Sequence, residues 1–276
     1  MPAPSPTPAD LEAACDAARR AGALIQRVRA EGFEVLSKGD AGPVTRADRE
    51  ADALLREALP RILPAAWLSE ETADDPARLR AERVWVVDPL DGTKEFVEGV
   101  PHYAVAVGLV ERGEPILAVV HNPSSGATFS ALRGGGAFRD GVPVRVAEGR
   151  RLGASRSEIR RGEFEPFAAD WEVLPLGSIE YKLALVASGE IAGTVSRGPK
   201  HEWDVCAGAL LVLEAGGRVT DCYDATLRFN RPFPKSKGVL AGAPAAFARL
   251  RSRLAEVGVS DRMDEMRGGR GGDVPK

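Results

Sequence analysis

Apolar positions Leu11, Ala14, Cys15, Ala18, Leu24, Ile25 and Val28 recur at helical spacing, which predicts a helix over 10–30 with one buried face. A second pattern runs through Ala51, Leu54, Leu55, Ala58 and Ile62 and stops at Pro64. Thr45 precedes Asp48 by three residues, a spacing that lets the two side chains cap the start of that helix. The period then shortens. Strand-like runs occupy 66–69, 84–88, 103–110, 116–121 and 127–132. Gly134-Gly135-Gly136, Asp140-Gly141 and Pro143 mark a hairpin-rich region. The first half therefore reads as two helices and then a largely antiparallel sheet.

The second half changes character. A strand near 152–155 leads into a polar stretch, and 179–188 and 204–215 have helical patterns. Gly216-Gly217 supplies a stop for the latter. Strands are expected at 191–196, 218–221 and 238–241, and an amphipathic helix at 243–256. The division falls near 147–152. Two α/β domains are expected, 10–148 and 149–260, with disordered tails at 1–9 and 261–276.

Composition narrows the class. The 276 residues are 44% hydrophobic and 28% charged, a globular balance with enough chain for a large core. A net charge of −3 provides no general field for long nucleic acid. No apolar run is long enough for a membrane span. The Pro-rich start lacks the basic and apolar regions of a secretory signal. Cys15, Cys206 and Cys222 form no Cys-x-x-Cys pair, and their odd number argues against a disulfide framework. His102, His121 and His201 form no zinc motif. A reducing cytoplasm is the expected location.

The chemistry concentrates at Val-Trp-Val-Val-Asp-Pro-Leu-Asp-Gly-Thr-Lys-Glu-Phe, residues 84–96. Proline disfavours helical geometry in the residue before it, so the strand is expected to end at Asp88 and turn. Asp88, the Leu90 carbonyl and Asp91 then offer hard oxygens suited to Mg²⁺. Gly92 permits close backbone approach, and Thr93 opens a short helix, 93–98, whose amides can meet a phosphate. A plain polar turn would also use Asp-Gly. Likewise, Glu70-Glu71 alone would suit a solvated face, and Asp204 alone a helix cap.

Together these segments resemble the inositol monophosphatase superfamily of Mg²⁺-dependent, lithium-sensitive phosphomonoesterases. The resemblance covers roughly 10–245 and rests on Leu68-Ser69-Glu70-Glu71, the Asp88–Thr93 motif and Glu202-Trp203-Asp204 with Glu214-Ala215-Gly216-Gly217. It implies an α+β fold, a layered α/β/α/β/α sandwich of the sugar-phosphatase type with its metal site between the two sheet-containing halves. It implies that Glu70, Asp88, Leu90, Asp91 and Asp204 hold two or three Mg²⁺, and that Gly92 and Thr93 hold the scissile phosphate. Thr93 would pair with Asp48, and this catalytic pair would orient a metal-activated water for in-line attack.

Lys94-Glu95-Phe96, Ser155-Arg156-Ser157 and Gly177-Ser178 with Lys182 resemble the bacterial 3′(2′),5′-bisphosphate nucleotidase branch. Adenosine 3′,5′-bisphosphate, a by-product of sulfur assimilation, is then the expected substrate, yielding AMP and phosphate. Glu158 stands where that branch has a histidine, and Arg156 and Lys182 could equally be solvated bases. Inositol-1-phosphate or another sugar or polyol phosphate is the alternative, and a non-catalytic metal or phosphate binder a more distant one. Partners are expected to be a small phosphorylated substrate, with no long nucleic acid and no integral membrane contact. A homodimer is compatible with the resemblance.

Overall fold

The computed structural model describes residues 4–37 and 43–259. Helix α1 (Pro8–Glu31) is capped by Thr7 and Asp10 bonding reciprocally across its first turn. Of the tail expected at 1–9, Pro8 and Ala9 are helical, Thr7 caps the helix and the Pro4 carbonyl accepts from Arg83, while residues 1–3 lie outside the described residues. The expected tail 261–276 lies outside the described residues. A small hairpin, β1 (Val35–Ser37) and β2 (Pro43–Thr45), leads into α2 (Arg46–Ile62). Thr45 and Asp48 form the capping box that the sequence spacing predicts.

Seven strands make the first sheet, in the order β3 (Ala66–Ser69), β4 (Arg83–Asp91), β5 (Ala104–Glu111), β6 (Glu114–His121), β7 (Thr128–Leu132), β8 (Gly136–Arg139) and β9 (Val142–Val144). Only the β3–β4 pair is parallel. Helix α3 (Thr93–Glu98) lies between β4 and β5 and ends at Gly99 in the left-handed conformation.

The second sheet contains β10 (Arg151–Ser155), β11 (Glu172–Leu176), β12 (Gly193–Ser196), β14 (Arg218–Thr220) and β16 (Val239–Gly242), in the order β11-β10-β12-β16-β14. A separate two-residue pair joins β13 (Lys200–His201) to β15 (Lys235–Ser236). The helices of this half are α4 (Arg156–Arg160), α5 (Ile179–Ala187), α6 (Cys206–Glu214) and α7 (Pro244–Val257).

Strand alternation creates the layers. Trp85 and Val87 of β4 pack into a core with Ile25 of α1 and Leu55 of α2. Val84 and Val86 face the other way, into a core with Leu183 of α5 and Leu211 of α6. The second sheet covers that layer with Val239 and Ala241 and turns Leu240 and Val195 toward Phe247 and Leu250 of α7. The result is an α/β/α/β/α sandwich whose middle helices serve both sheets. All nine residues of β4 are buried, which explains its nearly continuous apolar run.

Three details differ from the sequence expectation. The strand expected to stop at Asp88 continues to Asp91. Asp88 pairs with Ala106 and Asp91 with Ala104, so β4 holds one extra residue there. Pro89 cannot donate to the ladder, and a bulge absorbs it. The polar stretch after β10 contains α4, a short 3₁₀ turn at Glu165–Phe167, and then β11. Pro175 obscures β11 in the sequence, but it is tolerated because β11 is an edge strand. The expected 204–215 helix starts at Cys206.

A buried guanidinium ties the halves together. Arg78 donates to Asp74, to Asn230 Oδ1 at 2.8 Å and to the Arg231 carbonyl. The Asn230 and Arg231 amides donate in turn to Glu202. Among the described residues no helix is long and apolar enough to cross a membrane.

His121 gives the fold a testable pH dependence. Its Nδ1 lies 3.0 Å from Thr128 Oγ1, and a Cβ at Gly22 would come within 2.5 Å of the ring. Burial, aided by Arg19, lowers its pKa from 6.5 to about 4. The unfolded chain thus binds the proton more readily than the fold does. This contribution is complete above pH 6.5 and is lost as pH falls toward 4, amounting to roughly 3 kcal/mol. Denaturation of wild type and His121→Gln across that range should show the wild type losing more stability. Parallel pH curves would contradict the assignment.

Candidate active site

The bulge in β4 begins the site. Asp88 Oδ1 accepts the Leu90 amide at 2.9 Å, which curls the chain around Pro89. Asp88, Leu90 and Asp91 then line one cavity. Gly92 follows with φ +94°, where a Cβ would stand 3.0 Å from the His102 carbonyl. Glycine is required there for both its conformation and its size. It positions Thr93 at the start of α3, where the first amides have no intrahelical acceptor.

Helix α2 braces this turn from below. Asp48 takes Thr93 Oγ1 on Oδ1 at 2.8 Å and the Thr45 amide and hydroxyl on Oδ2, both at 2.7 Å. Thr93 Oγ1 also lies 3.2 Å from the Leu90 carbonyl, so its single proton has two possible acceptors. One helical turn on, Asp52 receives Ser69 Oγ at 2.5 Å and Thr72 Oγ1 at 2.7 Å. These bonds fix the chain on either side of Glu70, which lines the same cavity.

The second half closes the other side. Asp91 Oδ2 accepts Ser178 Oγ at 2.5 Å and the Glu180 amide at 2.7 Å. Asp204 stands in the turn before α6, with Oδ2 accepting the His201 amide at 2.8 Å. The cavity measures about 280 Å³, and its lining also includes Ser155, Ser157, Gly177, Ser178 and Lys182. Gly177 allows this approach, since a Cβ there would meet Glu95 Cγ at 2.2 Å.

Two of the expected residues are not in the lining. Asp48 lies behind it and reaches it only as the acceptor of the Thr93 hydroxyl. Arg156 turns away to Glu98 Oε2 at 2.7 Å, because α3 presents acids to it. Arg160, one turn along α4, occupies the wall instead. Glu158 is buried behind the wall and takes Ser196 Oγ at 2.7 Å. Lys94, Glu95, Ser196 and Lys200 also line the cavity without having been singled out individually. Lys94 and Glu95 sit inside the 84–96 motif. Lys200 carries only the weak signal of preceding His201-Glu202-Trp203-Asp204.

Negative charge dominates the floor. Burial raises the Asp88 pKa well above its ordinary value, and Glu70, Asp91 and Asp204 push it further. Burial also raises Asp204 to about 7, opposed by the positive charge of Lys200. Among the described residues, no three His, Cys, Asp or Glu side chains close into a ready metal-ligand group. Asp91 and Asp204 instead use oxygens on protein donors. The donor set nevertheless fits a hard divalent cation. It is all oxygen, contains no histidine or cysteine in the described lining, and carries crowded charge that such an ion would neutralise.

A model of the inositol monophosphatase family matches residues 9–258. The chain is 36% identical over 205 residues to an inositol-1-monophosphatase of Rhizobium meliloti, covering 69% of this chain and 76% of that one. It is 34% identical over 224 residues to the 3′(2′),5′-bisphosphate nucleotidase CysQ of Escherichia coli, covering 76% and 90%. The crystal structure of extragenic suppressor protein suhB from Bartonella henselae superposes with a TM-score of 0.78 at 30% identity, covering 89% of this chain and 98% of that one.

Crowded carboxylates predict a stability effect separate from turnover. In chelator, Asp88→Asn should raise the melting temperature by a few degrees, because it removes a carboxyl whose ionisation burial and its acidic neighbours oppose, while Asn Oδ1 can still accept the Leu90 amide. Added Mg²⁺ should stabilise the wild type more than the variant. A variant that melts lower than wild type in chelator would contradict this electrostatic picture.

Proposed function

The chain belongs to the inositol monophosphatase family, a family of phosphomonoesterases, and on that premise we propose that it hydrolyses small polyol or sugar monophosphates of the inositol-1-phosphate class with Mg²⁺. The observation that carries the catalytic reading is the meeting of Glu70, Asp88, Leu90, Asp91 and Asp204 with Gly92 and Thr93 around one cavity. Two or three Mg²⁺ held by those carboxylates and the Leu90 carbonyl would supply Lewis-acid charge to the phosphate oxygens.

The chain's own residues do the rest. The Gly92 and Thr93 amides at the opening of α3 suit phosphate oxygens. Thr93 Oγ1, by donating to Asp48 Oδ1, keeps lone pairs to accept from a water in the cavity. That contact aligns the water, and its proton has a route through Thr93 Oγ1 to Asp48 Oδ1. No side chain needs to form a covalent bond to phosphorus.

The wall supports this choice of substrate class. Ser155 and Ser157, bonded to each other, and Ser196, which donates to Glu158, keep hydroxyl oxygens that can accept from a polyhydroxylated substrate. Among the described lining residues there is no aromatic ring to stack a nucleobase. The stronger match to an inositol-1-monophosphatase supports the same class. One observation favours the bisphosphate nucleotide expected from the motifs: Lys182, Lys200 and Arg160 also line the cavity and could meet a second phosphate. The reading further carries a cytoplasmic location, a small phosphorylated substrate as the only obligatory partner, and a homodimer as the assembly to test.

Phosphate release from inositol-1-phosphate and from adenosine 3′,5′-bisphosphate separates the two. The polyol phosphate should have the higher kcat/KM, by about tenfold or roughly 1.4 kcal/mol. The reverse order, with Lys182→Ala harming the bisphosphate more than the monophosphate, would establish the nucleotide reading. Asp91→Asn should keep the fold and lose at least roughly a hundredfold in turnover, and chelator should mimic it. Full activity in excess chelator would remove the metal mechanism altogether.

A further inference from the structure

We propose that Glu180 is the positioning residue that sets Asp91 and Asp204 against each other, and so sets the divalent-cation affinity of the cavity. The inference rests on the reading of those two carboxylates as ligands. Glu180 itself is fully buried and is not among the residues lining the cavity.

The geometry runs through both ends of this residue. Its main-chain amide donates to Asp91 Oδ2 at 2.7 Å. Its side chain reaches the start of α6, where Oε1 accepts the Ala207 amide at 3.0 Å and Oε2 the Gly208 amide at 2.5 Å. Helix α6 has no side-chain cap of its own, because Val205 occupies the N-cap position. The neighbouring amides of Cys206 and Ala209 already bond Glu202 and Val205 carbonyls. Glu180 thus supplies, from α5, the acceptors that the first turn of α6 lacks.

Asp204 lies three residues before Ala207, in a turn bonded directly to α6. One residue therefore grips a β4 carboxylate through its backbone and the base of the Asp204 turn through its side chain. Gly208 lets the helices come this close, since a Cβ there would stand 2.4 Å from Leu183 Cβ and 2.6 Å from Glu180 Oε2. A cap serving α6 alone would not need the second grip on Asp91.

Two variants of the full chain separate positioning from simple charge and from simple capping. Glu180→Gln keeps the length but faces one α6 amide with its own NH₂. Glu180→Asp keeps the charge but is a methylene too short to hold both amides. Mn²⁺ binding is measured by calorimetry at a temperature where each variant shows wild-type near-ultraviolet dichroism. Both variants should bind Mn²⁺ at least about tenfold more weakly than wild type. In turnover at fixed metal, kcat should fall more than the substrate KM rises.

Wild-type Mn²⁺ affinity in both variants would overturn the proposal, as would wild-type affinity in Glu180→Asp alone, which would leave only a charge effect. Failure of both variants to fold would overturn it too, placing Glu180 in the core rather than behind the site. A wild-type protein that binds no Mn²⁺ would instead remove the metal reading, and this inference with it.

Discussion

Mutual repulsion among crowded carboxylates is the constraint around which this molecule is built. Glu70, Asp88, Asp91 and Asp204 come from three separated stretches of chain and line one cavity. Like charges in a partly dry environment destabilise one another. Something must hold them together against that repulsion, and the fold does so with directed bonds. Asp48 and Asp52 on one face of α2 take the hydroxyls that fix Thr93 and the Glu70 turn. Ser178 and the Glu180 amide hold Asp91. Arg78, Asn230 and Glu202 lock the Asp204 side of the cavity to the loop after β3.

The same bonds explain why the scaffold needs two sheets. The β4 turn presents Asp88 and Asp91 from the first sheet, and the turn before α6 presents Asp204 from across the central helical layer. Only a packed layer shared by both sheets can hold these turns in register, and the Leu183–Leu211 core provides it. Lys182 and Lys200 moderate the negative charge from the wall. Stability and function pull in opposite directions here. The acids that repel one another are those that a divalent cation would use.

Much of this was legible in the sequence where local chemistry decided it. Pro89 and Gly92 mark the turn, and the acids around them are the hard-oxygen type. The strand at 84–88, the capping box at Thr45 and the helix over 93–98 follow from local pattern as well. What stayed hidden depended on distant partners. Arg156 and Arg160 lie a single turn apart on a five-residue helix, and only the acids of α3 determine which one leaves the wall. The bulge extending β4 to Asp91 depends on pairing with Ala104. The trans cap from Glu180 is invisible locally, because a glutamate in a helical segment ordinarily reads as solvated.

The central claim is that these separated acids form one cation site. Crystals soaked in Mn²⁺ test it directly through anomalous scattering. The account predicts anomalous peaks within the cavity, each bonded to oxygens drawn from Glu70, Asp88, the Leu90 carbonyl, Asp91 and Asp204, with at least one peak touching Asp88 or Asp91. A soaked crystal with no peak in that cavity, or with Mn²⁺ only at surface carboxylates, would contradict it.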